Sequence, residues 1–171
     1  DASPEVRRYA LRISEAHLNE PGMGEAVLAC EADSLPLQIQ LASTLGEWAD
    51  PNAAKRLAQL ALESDKSPYL RSAVFSSLNA ENIGTIARTI LETASPPESL
   101  VVEMLEQTAA LADSHAIRDV LVTLSTVPDR PQTYSRVTRM FVALARRLRE
   151  APELLDLESL AALDRILSAA R

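Results

Sequence analysis

In a chain of 171 residues, one cluster sets an acid, a hydroxyl and an imidazole side by side, Asp113-Ser114-His115. Those are the residue types of a nucleophilic triad, but a triad needs its base to meet the nucleophile through space, with the acid behind it. Three successive residues at the start of one helix cannot do that. Asp or Ser ahead of an apolar helical run does satisfy the orphaned N–H groups of a helix start, so the cluster reads as an N-cap. His17 and His115 are the only histidines. They lie far apart with no Cys or His at ligand spacing, which spells out no metal site. Cys30 is the single cysteine. It permits no internal disulfide, and its neighbours Val27, Leu28 and Ala29 point to a buried, inert thiol. Glu15 and Glu20, Glu103 and Glu106, or Glu153 and Glu158 could pair as carboxylates, yet nothing near them would push one pKa away from the other. The four glycines, at 22, 24, 46 and 84, build no phosphate-binding loop. No catalytic residue, cofactor or metal is expected.

The arginines carry more. Arg130, Arg136, Arg139, Arg146, Arg147 and Arg149 fall in a segment without acids, so residues 130–149 bear +6 and the remainder −13. On a helix, Arg136, Arg139, Arg146 and one of Arg147 or Arg149 come near a single face. Such a face either stays solvated or docks an acidic surface, because the planar guanidinium can grip a carboxylate through two hydrogen bonds. Arg136, Arg139, Arg146, Arg147 and Arg149 are therefore the candidate partner-binding residues. The partner expected is a protein or a neighbouring domain of a longer chain. Nucleic acid is not expected, since a net charge of −7 with 4% aromatic residues does not advertise the basic, aromatic-lined surface it needs. No apolar run reaches the roughly 18 residues of a membrane span, so no membrane contact is expected of these residues either.

The elements that must position these residues are helices. Hydrophobic residues make up 47% and charged residues 24%, the balance of a folded protein. Abundant Leu and Ala, scarce Gly and few β-branched runs indicate an all-α chain. Asp recurs at 1, 33 and 65 and Pro at 4, 36 and 68, both with a spacing of 32. Each Asp-x-x-Pro opens a helix: Asp or the following Ser can cap it, and Pro fits a first turn that needs no N–H. Behind the second opening, Leu37, Leu41, Leu45 and Trp48 form one stripe. Asp50-Pro51 then starts a second helix with Ala54, Leu57, Leu60 and Ala61 on its apolar face. Leu41, Leu45, Trp48, Leu57 and Leu60 are expected in the core of this helical hairpin. The same grammar predicts helices near 3–17, 21–32, 68–78 and 82–93. It continues with a pair opening at Pro96-Pro97 and Asp113-Ser114, a longer helix after the Pro128–Pro131 break, and a last one near 156–169. That makes ten helices in five antiparallel pairs.

Asp-x-x-Pro-x-Val-Arg-x-x-Ala resembles the signature of HEAT repeats of the short bacterial type often called phycobilisome-lyase-like. Asp1, Pro4, Val6, Arg7 and Ala10 match it. Asp65, Pro68, Leu70 and Arg71 follow it with Val74 in the Ala place, and the middle copy departs with Gln38 where Val is usual. The likeness is clear over 1–94 and rests on helix pattern alone over 95–171. It implies an α-solenoid of about five hairpins forming one domain, 1–171. It also implies a ladder in which Arg7 and Arg71 meet the repeat Asp residues. Within that group, VRRYALRISEAHL, LQIQLASTLGEWADPNAAKRLAQLAL and SPYLRSAVFSSL are similar to the HEAT segment of large membrane-bound dehydrogenases of planctomycete and verrucomicrobial type. There a β-propeller precedes the solenoid and a c-type haem domain follows. The chain has no Cys-x-x-Cys-His, so haem attachment does not carry over. This likeness implies an extracytoplasmic, multidomain parent, consistent with a first residue, Asp1, that is not an initiator Met. It implies no chemistry for these residues. The function expected is a non-enzymatic scaffold or interaction module; the alternative is an accessory part of an enzyme.

Overall fold

The computed structural model describes all residues except 1, 2, 112, 127–129 and 169–171, together with the side chains of 66, 130–132, 134, 146 and 147. The described residues form helices and connecting turns without a strand. The all-α expectation holds. They divide into two compact units, Asp1–Asn82 and Ile83–Arg171, where the sequence reading treats 1–171 as one domain.

The first unit holds α1 (Pro4–Ser14), α2 (Met23–Leu28), α3 (Leu35–Gly46), α4 (Pro51–Glu63) and α5 (Pro68–Ser76). Helices α1, α3 and α5 lie side by side, and α4 packs on α2, α3 and α5. Leu37, Leu41, Leu45, Leu57 and Leu60 fill the space between them and are fully buried. Trp48, expected in that core, is only half-buried, because α3 ends at Gly46 before the stripe reaches it. Its indole lies on Gly24 of α2, where any Cβ would overlap the ring. Cys30, expected to be buried, is also half-buried, beyond the last residue of α2.

Helix starts follow the Pro residues, and at α1 and α5 it is the Ser of the expected Asp-or-Ser alternative that caps. The Ser immediately before Pro caps α1 and α5: Ser3 Oγ accepts from Val6 N at 3.5 Å and Ser67 Oγ from Leu70 N at 3.3 Å. Helix α3 begins one residue earlier relative to its Pro, at Leu35, with Ser34 as N-cap through its backbone carbonyl. Asp33 thus has no capping duty, and its carboxylate takes both Nη2 contacts of Arg7, at 2.8 and 2.9 Å. The Asp1 cap lies outside the described residues. Asp50 caps α4 as expected, accepting from Asn52 N at 2.7 Å and Ala53 N at 3.3 Å.

The second unit holds α6 (Ile83–Leu91), α7 (Glu98–Leu111), α8 (Ser114–Thr126), α9 (Arg130–Glu150) and α10 (Leu157–Ser168). Helices α6, α8 and α10 lie in one row and α7 and α9 in another. Between them Ile86, Ile90, Leu105, Val120, Leu121, Met140 and Leu144 are buried. The Pro128 break ahead of α9 lies outside the described residues.

Candidate docking site on the arginine-rich helix

Helix α9 presents three different environments along its circumference. One edge is buried against α7. There Met140 and Leu144 sit in the core, and Arg136, only 3% exposed, donates from Nε and Nη2 to Glu98 Oε2 at 3.3 and 2.8 Å. The sequence reading placed Arg136 on the same outward face as Arg139. The structure separates them: Arg136 is a buried interhelical ion-pair partner, removed from any docking face by a carboxylate that only the packing of α7 on α9 supplies.

The second environment is apolar and open. Val137, Phe141, Val142, Ala145 and Leu148 from α9 face Leu163, Ile166 and Leu167 from α10 across a groove of about 650 Å³. Val142 is 73% exposed at its lip, and Leu160 and Leu157, earlier on α10, are also exposed, the latter 86%. These are large side chains that solvent normally finds covered when they adjoin one another.

The third environment is the outer lip. Arg139, Val142 and Arg149 follow at i, i+3 and i+10, so they come near one edge of the helix. Arg139 and Arg149 are exposed, and Arg149 Nε folds back to the carbonyl of Ala145, a residue of the groove wall, at 3.4 Å. The side chains of Arg146 and Arg147 lie outside the described residues. Nothing in the linear sequence announced the groove, because half of its wall comes from α10.

The other clusters resolve into structural duties. Asp113 caps α8, accepting from Ala116 N at 2.8 Å, while Ser114 Oγ and His115 Nδ1 stand 3.4 Å apart on neighbouring residues. Glu15 accepts from Gln40 at 3.0 Å and Thr44 at 2.9 Å, and Glu20 meets His17 Nδ1 at 2.8 Å. Glu158 lies 3.6 Å from Arg118, which also reaches Asp156 at 3.5 Å. The Asp156 carboxyl is held below the ordinary range chiefly by the Ser159 backbone N–H it caps, with Arg118 adding to the effect. Among the described residues no three His, Cys, Asp or Glu side chains gather as a metal site requires, and no helix is long and apolar enough to cross a membrane.

No family model, curated protein or solved structure matches this chain. The function must therefore be argued from its own surfaces.

Proposed function

We propose that the chain is a HEAT-like α-solenoid that serves as a non-enzymatic interaction module, docking an acidic protein surface on the outer lip of α9. The repeated Asp/Pro register, the side-by-side order of alternate helices within each unit and the Arg7–Asp33 contact support the solenoid reading. The observation that carries the docking role is the exposed, arginine-flanked apolar groove on a helix that has no acid from 130 to 149. Arginine steers and orients acidic partners there, while the apolar wall supplies buried area. Charge reversal at Arg139 and Arg149 tests the role. The double variant should keep its helicity and melting temperature and lose capture of an acidic neighbouring domain or partner. Unchanged capture would reduce these arginines to a solvated face. Arg136 is left out of the variant, since reversing it would set a buried carboxylate beside Glu98 and disturb the packing of α7 on α9.

A further inference from the structure

Resting on that reading, we infer that the occupant of the α9–α10 groove is an amphipathic α-helix with an apolar stripe and acidic flanks, contributed by another protein. The groove has the proportions for it. Its α9 wall runs from Val137 to Leu148, about 16 Å at 1.5 Å per residue, which matches roughly three turns of a helix. Two helices offering an apolar furrow are the standard seat for a third, whose residues at i, i+3 or i+4 and i+7 enter the furrow. Arg139 and Arg149 at the lip then lie beside the polar shoulder of the incoming helix, where acids would be favoured.

Charge also argues against a second copy of this chain. The exposed apolar stripe that a copy could offer from its first unit is Val6, Tyr9 and Ile13 on α1, 48%, 56% and 67% exposed. That helix carries Arg8 and Arg12 against the single acid Glu5, with Arg7 already held by Asp33, so it would bring arginine to arginine. Like charges held across a desolvated contact are penalised, and an acid-flanked helix avoids this.

The test uses the full chain and helix-stabilised peptides of about 18 residues, long enough for the groove and constrained because short helices are marginal in water. One peptide carries a Leu stripe with Glu flanks, a second the same stripe with Lys flanks, a third Ser in place of Leu with Glu kept. The Leu/Glu peptide should bind at least about tenfold more tightly than either control and weaken as salt is raised. Val142→Asp, at an exposed position, and the Arg139→Glu/Arg149→Glu pair should each weaken it by a similar factor, with circular dichroism unchanged. If the Ser/Glu peptide binds as well as Leu/Glu and the arginine reversal still weakens it, the helix-in-groove inference fails and acidic docking survives. If the arginine reversal changes nothing, both fail. Sedimentation showing a dimer that Val142→Asp dissociates would assign the groove to a second copy and overturn the inference. So would binding to phosphatidylglycerol vesicles, abolished by the same variants, in the absence of peptide binding.

Discussion

Arg7 of α1 holds Asp33, the residue that opens the next repeat, through Nη2 contacts of 2.8 and 2.9 Å to both carboxylate oxygens, and adds a hydrogen bond from Nη1 to the Glu31 carbonyl at 3.0 Å. The guanidinium ties the start of one helical pair to the start of the one before it. In the second copy the position 32 residues after Arg7 is Ile39, so that side chain cannot form the equivalent rung to Asp65.

The rung makes a prediction about acid. Hydrogen bonds from Arg7 hold the Asp33 carboxyl below its ordinary value in the folded state. A depressed folded-state pKa stabilises the protein above the unfolded pKa of about 3.9, and the contribution disappears as pH falls through the lower folded value. Asp33→Asn should therefore melt below the parent at pH 6, and the gap should close as the pH falls below about 4. A gap that stayed constant down to pH 2 would show that the carboxylate charge is not what Arg7 uses.

The Arg136–Glu98 pair joins a buried guanidinium to a half-exposed carboxylate, and should matter more than a pair exposed on both sides. Glu98→Ala removes a carboxylate from a guanidinium that is almost fully covered, with an expected cost of about 1–3 kcal/mol. Arg136→Met keeps the volume and removes the charge, and should cost less than Glu98→Ala. Urea unfolding of the two variants checks the order. Equal, negligible costs would return Arg136 to the solvated face.

Gly24 is predicted to be required by Trp48 and not by helix geometry. Alanine at a helical glycine ordinarily gains about 1 kcal/mol, but here the added Cβ overlaps the indole, and overpacking costs about 1–3 kcal/mol. Gly24→Ala should thus be neutral to destabilising in the parent and stabilising in a Trp48→Leu background. A double-mutant cycle measures this sign change directly. Additive effects would remove Trp48 as the cause.

Helix positions were legible because their signals are local. Pro at 4, 36, 51 and 68 stands at the first or second helical position, and Leu41, Leu45, Leu57 and Leu60 reach the core through spacing alone. Most of what misled was set by a partner distant in the chain. Asp33 looks like a cap until Arg7 takes it, and Arg136 shares a helical face with Arg139 only while Glu98 is out of view. Trp48 continues a leucine stripe on paper, but the helix stops two residues earlier. The groove was invisible for the same reason, since α9 and α10 each look like an ordinary amphipathic helix with a core side. Only the packing of α9 on α7 and of α10 on α8 shows that part of the apolar surface on each is left over.

Trp48 is the single tryptophan, and it sits against α2 in the first unit. Its fluorescence is therefore a private reporter of Asp1–Asn82, while far-ultraviolet dichroism sums the helices of both halves. Denaturation followed by both signals asks whether the two halves cooperate: coincident curves mean one transition, and an emission change that leads or trails the dichroism means that each half has a stability of its own.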